Sequence, residues 1–177
     1  MFRRVVRYMN DPVLERPADL VTDFGSAELR QLVEDMFETM YDSHGVGLAA
    51  PQVAVSKRVA VIDVARAEEE DDEVLPEKIV LINPTVIAKT GKQTGEEGCL
   101  SIPGFREPVT RAKVATVRAQ DLEGQWFELT GEDLQARAML HEIDHLNGIL
   151  FLSHLSALKR DLIKRKIRKM QKAGDWE

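Results

Sequence analysis

From residue 26 to residue 41 the apolar residues Leu29, Leu32, Val33, Met36, Phe37, Met40 and Tyr41 recur at spacings of three and four. That is the period of a helix with one buried face, and Ser26 stands where its first turn needs a capping oxygen. The stripe stops in "SHGVGLAAPQ", residues 43–52. There Gly45, Gly47 and Pro51 forbid further helix and predict extended backbone that another chain can approach closely. Four runs rich in Val and Ile follow, "RVAVIDV", "KIVLINPTVIA", "KVATVRA" and "QWFEL", and read as strands. The last two flank "QDLEG", a hairpin loop.

A second apolar stretch holds Leu134, Ala136, Ala138, Met139, Leu140, Ile143 and Leu146. It is apolar nearly all round, as in a helix buried among other elements. Thr130 and Asp133 have the spacing of a capping box for its start, and Asn147-Gly148 is a stop signal. The C-terminal segment, residues 153–172, predicts a third helix that packs through Leu155, Leu158, Leu162, Ile163, Ile167 and Met170. Between the first two strand runs, "ARAEEEDDEVLPE" carries six consecutive acids; their mutual repulsion predicts an exposed loop over 67–77.

A hydrophobic content of 44% with 31% charged residues over 177 positions suits one globular domain, residues 1–177, with a sizeable core. No apolar run reaches the roughly 18 residues of a membrane helix. The start "MFRRVVRYMNDPVLERP" lacks the apolar segment of a secretory leader, so a cytoplasmic location is expected, without a membrane or DNA partner. The single cysteine, Cys99, has no internal disulfide partner, which leaves packing or metal ligation. The net charge of −6 is uneven: residues 159–172, "KRDLIKRKIRKMQK", hold eight of the 24 Lys and Arg against one acid, leaving 16 basic and 29 acidic residues, or −13, elsewhere. A solvated helix face or an anionic partner both account for that asymmetry.

The chemistry lies in "ARAMLHEIDHLNG", residues 136–148. His141 and His145 are just over one turn apart, so both imidazoles leave the same face of a buried helix, close enough to share a metal ion. Glu142, between them, is placed to take a proton from water activated by that ion. A catalytic site of this kind uses three protein ligands and keeps one position open. Downstream of His145 only His154, Asp161, Asp175 and Glu177 are available, and His154 is not at the spacing of the extended peptidase pattern. Upstream, Cys99 in "EEGCLSIPG" offers a thiolate in a turn-rich stretch between predicted strands. On the residues alone, a zinc peptidase with a downstream ligand and an RNA-binding module with a structural metal both remain open.

Three segments, "GVGLAAPQ" at 45–52, "EGCLS" at 97–101 and "HEIDH" at 141–145, resemble the three signature motifs of the peptide deformylases, in the same order. "LINP", "IPGFR" and "HLNGILF" followed by a basic helix are similar to the bacterial form of that family. The resemblance implies an α+β fold with antiparallel sheets around a central metal-binding helix, the N-terminal and C-terminal helices packed outside. It implies hydrolysis of the N-formyl group of formylmethionyl peptides. Cys99, His141 and His145 become the metal ligands, with iron(II) as the physiological ion and zinc, nickel or cobalt as replacements. Glu142 becomes the general base and acid, and the Gln52 side chain and Leu100 backbone N–H the oxyanion donors. The backbone around Val46, Gly47 and Gly98 is expected to pair with an extended peptide. For Arg106, contact with peptide carbonyls and a structural ion pair both stay open, and Asp144 is expected to be a buried partner for a basic group. A substrate that emerges from ribosomes makes ribosomal RNA the anionic partner to expect for the basic helix.

Overall fold

The structure, a computed structural model, describes residues 1–65, 67 and 74–177; the six-acid run, read above as an exposed loop, lies outside the described residues. Helix α1 spans Ala27–Asp42, with the Ser26 hydroxyl accepting the Leu29 N–H at 3.1 Å. The chain then turns into strand β1, Gly47–Ala49, and a single 3-10 turn, Ala50–Val53, with Pro51 in its first turn. Next come β2 (Val59–Ile62), β3 (Ile79–Thr90), β4 (Gln93–Cys99), β5 (Ile102–Arg111), β6 (Val114–Gln120) and β7 (Trp126–Glu132). Helix α2 covers Asp133–Leu146 and α3 covers Ala157–Ala173, with a 3-10 turn, Phe151–His154, between them.

All strand pairing within the two sheets is antiparallel, in a five-stranded sheet of order β1-β2-β3-β6-β7 and a separate ribbon of β4 and β5. Strand alternation divides the large sheet between two helices. Val59 and Val61 face the core built on α1, with Leu29, Leu32, Val33, Met36 and Phe37. Ala60 and Ile62 face the core built on α2, with Met139, Ile143 and Leu146. Alanines keep that second face thin: Ala49, Ala60, Ala115 and Ala119 are fully buried under the helix, so α2 lies close to the sheet. A third core joins the ribbon, through Ile102 and Val109, to α3, through Ile163 and Ile167, with Phe151 and Tyr8 between.

Four expectations change. The stretch 96–104, read as turn-rich, lies in the β4–β5 ribbon, with Cys99 opposite Ile102 across the two-residue turn Leu100-Ser101. Helix α2 begins at Asp133, and no capping box forms on Thr130, because β7 stays paired with β6 as far as Glu132 and the Thr130 hydroxyl lies 2.8 Å from that of Thr116. The segment 153–172 is not one helix, since it is broken at Leu155-Ser156 before α3 starts on its Ser156 cap. Leu158 and Leu162 do not pack; they are 71% and 47% exposed. The buried stripe of α3 is Ile163 and Ile167, with Met170 at its edge, and Leu162 sits one residue further round the helix.

Candidate active site

Helix α2 presents His141, Glu142 and His145 from its buried surface, while the end of β4 brings Cys99 to them. His145 Nε2 is 3.0 Å from His141 Nε2 and 3.3 Å from Cys99 Sγ, and the three candidate ligand atoms lie within 4.8 Å of one another. Bonds of the length zinc makes to nitrogen and sulfur hold two tetrahedral nitrogens about 3.3 Å apart and a sulfur about 3.6 Å from a nitrogen. One thiol and two ring nitrogens converging at such separations fit a divalent cation. Among the described residues no other group of three such side chains gathers in this way. His154, the downstream histidine, instead bonds Asp144 Oδ2 at 2.8 Å, so the peptidase reading has no third ligand there.

What aims His141 is Glu97, a residue to which the sequence reading gave no role. Its carboxylate accepts His141 Nδ1–H, leaving Nε2 free for the cation, the usual support of a metal-binding imidazole. Glu97 is itself gripped by Arg111, which donates Nε and Nη2, and by Arg137, which donates Nη1 at 2.7 Å. Arg111 reaches on to Asp144 Oδ2 at 2.9 Å, so Asp144 has the basic partner expected of it, together with His154, but it is half-buried rather than buried. Two guanidiniums thus balance two carboxylates, the condition under which such charges tolerate burial. Burial opposes ionisation of Glu97, but its hydrogen bonds with Arg111 and His141 hold its carboxyl well below the usual carboxylate range. A signal was present in the sequence: Arg137 stands within the apolar run Ala136–Leu140, one turn before His141, where a charged side chain is buried only with a partner.

Glu142 is 3% exposed, and its Oε1 has no hydrogen-bond partner. Burial pushes its carboxyl up to about 7, with His141 pulling down and Glu97 pushing further up. Its other oxygen lies against β1 so closely that a Cβ on Gly47 would meet Oε2 at 2.5 Å. Gly47 therefore makes room for Glu142 as well as for any peptide on the far side.

Gln52, in the 3-10 turn, is locked: Oε1 accepts the Ala49 N–H at 3.0 Å, and Nε2 lies 3.4 Å from Cys99 Sγ and 3.2 Å from Ser101 Oγ. Leu100 occupies the ribbon turn beside it. These groups border an open cleft of about 760 Å³ that is also lined by Val46, Gly47, Gly98, Leu134 and Arg106. β1 and β4 are outer strands of their sheets, so both offer an unpaired backbone edge. Arg106 is largely exposed and 3.7 Å from Glu96, a loose surface pair.

The comparisons with known proteins agree with this geometry. Residues 3–161 match the family profile of polypeptide deformylases. The chain is 58% identical to a peptide deformylase of Acidobacterium capsulatum over 99% of both chains. The chain belongs to the peptide deformylase family. The solved peptide deformylase of Legionella pneumophila superposes with a TM-score of 0.86 at 44% identity, covering 100% of this chain and 99% of that one. That of Ehrlichia chaffeensis does so with a TM-score of 0.87 at 35% identity, covering 98% and 99%. The expected fold, α+β with antiparallel sheets and three helices, is thus the deformylase fold. The reaction is removal of the N-formyl group from formylmethionyl peptides, the enzyme is a hydrolase, and its Cys-His-His cluster suits a divalent metal. Among the described residues no helix is long and apolar enough to cross a membrane.

Proposed function

We propose that Cys99, His141 and His145 hold iron(II), with zinc, nickel or cobalt as replacements, and that Glu142, Gln52 and Leu100 carry out the hydrolysis around it. A soft thiolate with two imidazoles accepts any of these ions, and family resemblance selects iron. When bound, the ion supplies a nucleophile at neutral pH and polarises the formyl carbonyl.

The chain's own residues do the rest. Glu142 Oε1, buried and unpartnered, takes the proton of the attacking water and passes it to the amide nitrogen as the C–N bond breaks. Formate and a free amine are the products. A carboxyl raised to about 7 can both accept and donate near neutral pH. Gln52 Nε2, fixed by the Ala49 contact at its other end, and the Leu100 N–H donate to the developing oxyanion. Val46, Gly47 and Gly98 bind the peptide as an extended strand between the free edges of β1 and β4. Val46 and Leu134 flank its first side chain, and the exposed Arg106 guanidinium meets carbonyls further along. Residues 1–177 work as one domain in the cytoplasm, and the basic face of α3 contacts ribosomal RNA.

The convergence of the Cys99, His141 and His145 ligand atoms within 4.8 Å is the observation that carries this reading. Formate release from a formyl-Met peptide, measured with metal content for wild type and Glu142→Ala, tests it. The variant should keep its metal and lose about 10²- to 10⁴-fold in rate. Full rate at full metal would refute the role of Glu142. For the helix, pelleting with ribosomes should weaken steeply as salt rises, and salt-independent pelleting would argue against phosphate contacts.

A further inference from the structure

The two proposed oxyanion donors stand on different parts of the fold. Gln52 belongs to the turn after β1 in the large sheet, and Leu100 to the hairpin turn of the ribbon. Three successive residues near the N-terminus connect both. The Val6 N–H donates to the Gln52 carbonyl oxygen at 2.8 Å, Arg7 Nη1 donates to the Leu100 carbonyl oxygen at 3.1 Å, and the Tyr8 N–H donates to the Ser101 carbonyl oxygen at 2.9 Å. Tyr8 is anchored in the third core, with its own carbonyl oxygen accepting Trp176 Nε1–H at 2.8 Å.

We infer that residues 6–8 strap the two donor-bearing turns together and that Arg7 is a positioning residue for the oxyanion site. The inference rests on the roles proposed above for Gln52 and Leu100. A two-residue turn has few backbone hydrogen bonds of its own, and the Leu100 carbonyl is half of the peptide unit on which the orientation of that turn depends. Gripping that oxygen with a guanidinium is a charge-assisted bond, stronger than a neutral one. It fixes the tilt of the turn and with it the direction of the Leu100 N–H. The Val6 bond does the same for the backbone that carries Gln52. Arg7 is half-buried and borders a second cleft of about 390 Å³, together with Arg4, Cys99 and Leu100. Its side chain can therefore be changed without opening a cavity in the core.

Donors that stabilise charge only in the transition state affect kcat more than KM when misaligned. The test compares wild type, Arg7→Met and Arg7→Lys for kcat and KM on a formyl-Met peptide, with metal content and Tm measured for each. Arg7→Met is expected to lower kcat about tenfold, less than the roughly 10²-fold or more for outright loss of such a donor. KM should stay within about twofold, with metal content unchanged, and Arg7→Lys, which retains an N–H donor, should recover most of the rate. An unchanged kcat in Arg7→Met would overturn the inference. So would a loss that tracks metal content or Tm, or one that lysine does not repair. If Arg7→Met proves unstable, Arg7→Ala, which likewise removes the donor, takes its place beside Arg7→Lys on the same criteria. A wild-type chain that released no formate would instead remove the underlying assignment.

Discussion

Replacing Gly47 by Ala probes the tightest approach in the site. Gly47 lies in β1 and is not among the residues with positive φ, so its backbone admits an alanine. The added Cβ, however, would stand 2.5 Å from Glu142 Oε2, 2.9 Å from Cδ and 3.0 Å from Cγ. Ordinary non-bonded contact needs about 3.5 Å, so the carboxylate must retreat by about 1 Å. Glu142 is almost wholly buried at the border of the cleft, so this retreat takes its carboxylate out of the position it holds beside the candidate ligands. A displacement of about 1 Å at a reacting group costs on the order of 100-fold in rate, or about 2.7 kcal/mol of barrier, and the overpacking itself costs about 1–3 kcal/mol of stability. The three atoms nearest the new Cβ all belong to Glu142, none to Cys99, His141 or His145. Gly47→Ala should therefore bind a full equivalent of metal while kcat/KM for a formyl-Met peptide falls about 100-fold. Near wild-type kcat/KM at full occupancy would refute the reasoning, because Glu142 could then move without consequence for the chemistry.

Cys99→Ser exchanges the thiolate for a far weaker ligand, and the purified variant should contain well under one metal per chain by elemental analysis. Glu97→Gln keeps shape but removes the charge that two arginines and His141 require; breaking such a buried network costs about 3–5 kcal/mol in urea unfolding at pH 7. Because the folded Glu97 value is depressed, its stabilisation is fully present above the ordinary carboxylate value and is lost as pH falls through that range towards the folded value. The stability gap between wild type and Glu97→Gln should accordingly narrow on acidification, and a gap independent of pH would be inconsistent with the depressed carboxyl. Gly148→Ala places a Cβ 2.8 Å from the Arg16 carbonyl carbon at a φ of +77°. Left-handed strain and backbone collision together should cost about 2–4 kcal/mol in the same assay.

The elements read most directly from the sequence are those whose side chains alternate or recur cleanly. The stripe of α1, the Val-rich strands β2, β3 and β6, and the apolar wrap of α2 carry their burial in their periodicity. The ribbon does not, because the one fully buried residue of β4 before Cys99 is the charged Glu97, and Gly95, Gly98, Pro103 and Pro108 dilute the strand signal. Pairing across a hairpin supplies what propensity lacks there. The same blind spot hid Arg111 and Arg137: a charged residue is assumed solvated until a fold shows which opposite charge meets it. The proposed metal ligands escaped this difficulty because two of them share one helix face, and the third was reached through motif resemblance. Leu158 and Leu162 mark the opposite error, apolar residues counted as core although the helix turns them outward.

Cys99 and His145 are 46 positions apart, one on the ribbon and the other on α2, and the ribbon shares no ladder with the large sheet. A cation held by both would add one more rivet between ribbon and helix, beside the Arg111–Asp144 and Arg137–Glu97 ion pairs that already join them. Loading and stripping the metal will then register chiefly as slower and faster amide deuteration along Thr94–Glu97, while the β6–β7 hairpin, held by its own ladder, by β3 and by packing on α2, exchanges at the same pace in both states.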